Sequence, residues 1–302
     1  MSCSKSAKGL CGIEKSEAAV SSVSKQLDIE KLQQTLGTTV FGVGDRLLYL
    51  PIVDSTNTLA MKLALQGAEE GMVVFTDSQT AGKGRQGRRW VDMAGYSALS
   101  STILRPLFPP HLLVMIAALA VVAAIADTCG IAATIKWPND VLIGGRKVAG
   151  ILIETSHDHL GHLVAIIGIG VNVNGHITQF MEATSEPQLM TSRLVVTSTT
   201  LEEVCGYEVS REAFLAYLLQ RLEPQYLALQ QEAQTLPMAP SSISRLVREQ
   251  WRNQLSTLGR TVQVRQGNTF LSGVAEDVNE NGELLLRCHS GERISISWGD
   301  VE

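Results

Sequence analysis

The chain has 302 residues, 45% hydrophobic and 18% charged, with a formal net charge of −5. That length and apolar content suit one large domain plus a small one, and the acidic balance argues against non-specific nucleic-acid binding as the main task. Five scattered cysteines without a C-x-x-C pair argue against a disulfide frame or a zinc site and fit free thiols in a reducing, cytoplasmic setting.

Residues 1–26 lack periodicity and an apolar signal core, and read as a disordered extension. Residues 27–37 suit one short helix closed by Gly37. DRLLYLPIVD then reads as a strand, and DSTNTLAMKLALQGAEEG as a helix capped by Asp54 or Ser55. GMVVFTDSQ is a short buried strand, and SALSSTILRP alternates like another until Pro106. The apolar run 112–126 is too short and too alanine-rich for a membrane span and reads as a core helix closed by Gly130.

IAATIKWPNDVLIGGRKVAGILIET breaks into three β-rich runs at Pro-Asn-Asp and at Gly144-Gly145, so it contains a tight hairpin. HLVAIIGIGVNVN is a further buried strand, followed by a polar loop over 175–200. SREAFLAYLLQRLEPQYLALQ is an amphipathic helix that Pro224 is expected to kink or end, and a second helix covers about 241–255. The tail holds four short strands, TVQVRQ, TFLSGVAEDV, ELLLRC and RISISW. Its four basic and seven acidic residues argue against a nucleic-acid-binding barrel. Strands and helices do not alternate strictly, which favours an α+β sheet over a doubly wound one.

Two stretches carry chemistry. AGKGRQGRRW, residues 81–90, matches G-x-G-x-x-G, but no helix follows it and no acid lies near residue 107, so the dinucleotide-binding context fails. Its four cations, Lys83, Arg85, Arg88 and Arg89, lie in a segment with no acid between Ser78 and Val91. Such a loop repels itself unless an anion neutralises it, so a phosphate or carboxylate ligand is expected, with a solvated basic turn as the plainer alternative. The second stretch is KWPND, residues 136–140. The Gly144-Gly145 turn would fold Lys147 back towards Asp140, and a lysine in an apolar strand needs an anionic partner.

Taken together, QTAGKGRQGRRW, KWPNDV and GRKVAGILIE, with STN at 55–57 and GIGVN at 168–172, resemble the biotin protein ligases over about residues 45–302. The resemblance implies a mixed, largely antiparallel sheet with helices, of the class II synthetase-like biotin/lipoate ligase type, and a small SH3-like barrel. The expected divisions are a largely disordered extension at 1–40, a catalytic domain at 41–256 and the barrel at 257–302. It also implies ATP-dependent biotinylation, through biotinyl-5′-AMP, of a lysine on the biotin carboxyl carrier protein of acetyl-CoA carboxylase, with Mg²⁺ accompanying the ATP.

On the matching positions, Ser55, Thr56, Asn57, Gln79, Lys83, Gly84, Arg85, Lys147 and Gly150 are expected around biotin. Arg85, Arg88, Trp90, Lys136, Asn139, Asp140 and Asn172 are expected around ATP or the adenylate, with Asp140 as the site for magnesium held through ATP. Lys147 and Arg85 are the expected catalytic cations. The short stretch before residue 45 leaves no room for the DNA-binding domain of some relatives, so no nucleic acid, no repressor role and no membrane are expected. Pairing into a homodimer stays open. The rival, a lipoate–protein ligase, shares the fold, but its own signature is absent while KWPND and the tail barrel are present.

Overall fold

A computed structural model of the chain describes residues 26–178, 197–235 and 242–301. The expected disorder of 1–26 and most of the 175–200 loop therefore lie outside the described residues. Seven strands, β1 (Leu47–Val53), β2 (Val73–Gln79), β3 (Ser97–Leu104), β4 (Thr134–Lys136), β5 (Asp140–Ile143), β6 (Arg146–His157) and β7 (Leu163–Asn172), form one sheet in the order β1-β2-β3-β7-β6-β5-β4. Only β1 and β2 are parallel, joined through helix α2 (Thr56–Leu65); every other pairing is antiparallel. This is the mixed, largely antiparallel sheet expected from the sequence. Gly144 and Gly145, both with φ near the left-handed region (58° and 80°), make the two-residue turn between β5 and β6.

The two faces of the sheet are covered differently, and period-two alternation shows how. Along β7, Ala165, Ile167, Ile169 and Val171 face the main core. That face is packed by α3 (His111–Cys129) and, beyond the short α4 (Leu201–Cys205), by α5 (Arg211–Thr235) and α6 (Ser242–Gln254). Helix α3 has a mean hydropathy of 2.4, enough in length and composition to cross a membrane, yet Leu113, Ile116, Val121 and Ile125 are fully buried inside the protein. Val164 and Ile166 face the other side, where α2 covers them with Ala60 and Ala64.

Residues ahead of β1 belong to the main core. Leu27 and, on helix α1 (Ile29–Thr35), Leu32 are buried with Leu36 and Phe41 against α5. The Glu223 carboxylate fixes the following turn by accepting from the backbone N–H groups of Thr39, Val40 and Phe41 at 2.7–2.9 Å. Helix α5 runs through Pro224 instead of stopping there. Proline removes one backbone donor, but Leu222, Tyr226 and Leu229 stay buried on either side of it, and that packing carries the helix across.

Five tail strands, β8 (Thr261–Gln266), β9 (Thr269–Val278), β10 (Leu284–Cys288), β11 (Arg293–Ile296) and β12 (Asp300–Val301), form a second sheet in the order β11-β10-β9-β8-β12. The two-residue β12 was not expected; it is too short to leave a period in the sequence. The tail sheet is seated on the main sheet through KWPND. Trp137 is 2% exposed, donates its indole N–H to the Gly282 carbonyl at 2.9 Å, and donates its backbone N–H to the Thr257 hydroxyl oxygen at 3.0 Å.

Candidate active site

The cleft arises from two glycines. On the α2 face of β7 the alternating positions run Val164, Ile166, Gly168, Gly170. Where the valine and isoleucine stand, α2 packs; where the glycines stand, the sheet is hollow. The hollow holds side chains from elsewhere. A methyl group on Gly168 would lie 2.0 Å from the Asn57 Oδ1, and one on Gly170 would lie 2.6 Å from the Trp90 ring. Ser55, Thr56, Asn57, Gln79, Lys83, Gly84, Arg85, Trp90, Asn139, Lys147 and Gly150, all singled out from the sequence, line the resulting open cleft, together with Leu99 and Leu152.

Its inner end is a chain of fixed polar groups. Gln79 Oε1 accepts from the Thr56 backbone N–H (2.8 Å) and hydroxyl (3.1 Å). The Ser101 hydroxyl reaches Thr56 Oγ1 (2.8 Å) and Asn57 Oδ1 (2.6 Å), and Asn57 Nδ2 donates to Glu154 at 2.8 Å. Buried and held on both sides, these amides and hydroxyls keep one orientation. Ser101 and Glu154 were missed by the sequence reading. Ser101 sits in an apolar strand like any buried serine, and Glu154 is distant in sequence from everything it touches.

The basic stretch is a narrow hairpin. Trp90 N–H donates to Gly82 O (2.9 Å) and Gly84 N–H to Arg88 O (2.8 Å). Its glycines have separate jobs. A Cβ on Gly82 would meet the Trp90 carbonyl at 2.5 Å, and Gly87, with φ 72°, follows Gln86 at φ 55° through the tip. No helix follows, as the sequence indicated; β3 does.

The expected self-repulsion of this hairpin is relieved inside the protein. Lys83 pairs with Glu154 (3.4 Å), and Lys147 with Asp140 (2.7 Å). Arg88 pairs with Asp300, and Arg85 donates to Asn139 Oδ1 (2.7 Å). Asn139 is itself clamped to β6, its Nδ2 donating to Ile151 O at 2.8 Å. Burial lowers the basicity of Arg85, while Asp300 and Asp140 act the other way. Lys147 Nζ lies 5.6 Å from the centre of the Trp90 ring, and Gly150 leaves room for both, since a Cβ there would touch each at about 3 Å.

Four residues expected around the nucleotide stand off the cleft lining. Arg88 is turned to the tail sheet. Lys136 lies on β4 opposite Asp140, whose carboxylate is taken by Lys147. Asn172 ends β7 and spends its amide N–H on the Thr199 carbonyl at 3.1 Å. Among the described residues, no group of three His, Cys, Asp or Glu side chains is placed to hold a metal.

Residues 49–174 match the biotin/lipoate A/B protein ligase family, and residues 257–302 match the biotin protein ligase C-terminal domain. The chain is 35% identical to the biotin–[acetyl-CoA-carboxylase] ligase of Paracoccus denitrificans, over 80% of this chain and 94% of that one. It is 32% identical to the bifunctional ligase/repressor of Bacillus subtilis, over 86% of this chain and 74% of that one. Among solved structures, the biotin protein ligase of Aquifex aeolicus in complex with biotin and ATP aligns with a TM-score of 0.66 and 26% identity, covering 86% of this chain and 98% of that one.

Proposed function

This chain belongs to the biotin protein ligases, and from that premise we propose which of its residues do the work. A biotin protein ligase joins biotin to a carrier-protein lysine in two steps. Biotin's carboxylate attacks the α-phosphorus of ATP and pyrophosphate leaves; the carrier lysine then attacks the acyl carbon of biotinyl-5′-AMP and AMP leaves. No protein nucleophile is needed.

The observation that carries the assignment is convergence. Lys147 from β6 and Arg85 from the hairpin tip meet over one cleft whose inner end is a fixed set of amides and hydroxyls. In our reading, Ser55, Thr56, Asn57 and Gln79 hold the ureido ring of biotin, and Gly168 and Gly170 leave the depth for it. Lys147 and Arg85 offset the repulsion between carboxylate and triphosphate and stabilise the charge that grows on the α-phosphate. Trp90 forms the wall beneath Lys147, and Asn139 aims Arg85. The hairpin covers the adenylate and shields its anhydride from water.

Asp140 is one carboxylate, already aimed by Lys147. It suits a magnesium ion that keeps most of its oxygen ligands from nucleotide and water, and does not suit an all-protein cage. The packing of Leu27 and Leu32 leads us to place the start of the catalytic unit near residue 26 and not at 41. The proposed carrier is the biotin carboxyl carrier domain of acetyl-CoA carboxylase. ATP–pyrophosphate exchange with biotin, with lipoate and with neither is the test. Exchange with biotin alone is expected; exchange with lipoate alone would overturn the reading.

A further inference from the structure

The hairpin that covers the cleft does not stand by itself. Its tip rests on the last strand of the tail sheet. Arg88 pairs with the Asp300 carboxylate, and Arg265 reaches the same oxygen at 3.7 Å. Arg85 donates to the Gly299 carbonyl at 3.4 Å. The Asp300 side chain is only 16% exposed, against 50% for Arg88, so the acid is the fixed partner and the arginine the held one. Asp300 is fixed because β12 pairs with β8, placing Asp300 opposite Arg265. The tail sheet in turn is fastened to the main sheet by Trp137 and by Ser256, whose N–H donates to Ile135 O at 2.8 Å. A continuous set of contacts thus runs from KWPND through the barrel and back to the loop over the cleft.

We propose that Asp300 is a positioning residue for adenylate retention: the barrel holds the hairpin over the cleft through Asp300 and Arg88. The proposal rests on the reading of the cleft as the biotinyl-adenylate site. Asp300 touches no reacting atom. It acts by limiting how far the hairpin swings, and so how often water enters or the adenylate leaves. Without the carboxylate, Arg88 keeps its charge but loses its tether, while Arg85 keeps its hydrogen bond to Asn139 and the hairpin keeps its own backbone bonds.

The test is adenylate release from pre-formed enzyme–adenylate complex, measured by filtration after a chase, on the full-length chain. Asp300→Asn is expected to release the adenylate roughly ten-fold faster, the change that one lost charge-assisted hydrogen bond gives. Arg85→Gly sets the scale of full release. Asp300→Glu should recover most of the retention. In an Arg88→Ala background, Asp300→Asn should add nothing, which a merely structural role for Asp300 would not produce. Glu276→Gln breaks the pairs of Arg287 and Arg293 elsewhere on the barrel and should leave release unchanged. Unchanged release in Asp300→Asn, or an equal effect with and without Arg88, would overturn the proposal. Wild-type exchange with biotin checks the underlying reading separately: if the wild type forms no adenylate, the cleft assignment fails, and if it does, only the role of Asp300 is at stake.

Discussion

At the scale of single residues, charge pairing decides what each cation does. Lys147 is held by Asp140 at 2.7 Å and by the face of Trp90, so on the proposed reading of the cleft its ammonium is preset where a carboxylate and a phosphate would meet. A preset cation acts more on the charge that develops during reaction than on ground-state binding. Lys147→Ala is therefore expected to slow pyrophosphate exchange by roughly a hundred-fold or more while raising the biotin Kd only several-fold; calorimetry beside exchange kinetics reads both. Equal losses in the two would mean that Lys147 only binds.

Asp92 makes a different prediction. Burial pushes its carboxyl up to about 6, opposed by hydrogen bonds from Ser78 and from the Gln79 backbone. Between the ordinary carboxylate range and pH 6 the folded protein holds a proton that the unfolded chain has lost. Stability from this site is thus full below about pH 4 and is lost as pH rises through about 6, by on the order of 3 kcal/mol. Asp92→Asn should flatten that portion of the urea midpoint plotted against pH, and an unaltered slope would show that other groups set it.

At the scale of elements, local rules made much of the sheet legible. The turn at Gly144-Gly145 could be placed because two consecutive positive φ angles all but require glycine. The lysine beyond it could be brought back towards Asp140 because a two-residue turn fixes register, setting Lys147 opposite Leu142, two positions from Asp140. What stayed illegible was whatever depends on distant partners. Glu154 and Asp300, which neutralise Lys83 and Arg88, lie 71 and 212 positions away, and no local pattern carries them. Pro224 misled for the same reason: a helix-breaking preference is local, and the packing that overrides it is not.

The glycines of β7 lie between these cases. GIG in an apolar strand marks a close approach, but not what approaches. Gly170→Ala would set a methyl group 2.6 Å from the Trp90 ring, against a side chain wedged under Lys147. The ring must move, and the cleft loses its wall. The expected outcome is a biotin Kd raised at least about ten-fold with indole fluorescence shifted, since overpacking typically costs 1–3 kcal/mol. A wild-type Kd would place the ligand away from this wall.

At the scale of the whole molecule, Trp137 joins the two sheets, and Asn139, two residues on, lines the cleft. This coupling explains why KWPND needs a large apolar side chain ahead of its polar pair. The indole is buried between the catalytic sheet and the barrel while Asn139, two residues on, holds Arg85. Two substitutions separate bulk from hydrogen bond. Trp137→Phe keeps most of the volume and loses only the N–H to Gly282, so stability should fall by roughly 1–2 kcal/mol, including the orphaned carbonyl. Trp137→Ala opens a cavity at the seam and should cost about 3–5 kcal/mol. The functional readouts should divide in the same order. With Phe the barrel stays seated, β12 still meets the hairpin, and adenylate release changes little. With Ala the barrel loosens, so release should speed up even at temperatures where the catalytic sheet remains folded by circular dichroism. Limited proteolysis near residues 256–260 would report the loosened seam directly. If Trp137→Ala released adenylate at the wild-type rate while the barrel became protease-sensitive, the hairpin would be held from the catalytic sheet alone, and the tail sheet would serve some purpose other than steadying the loop.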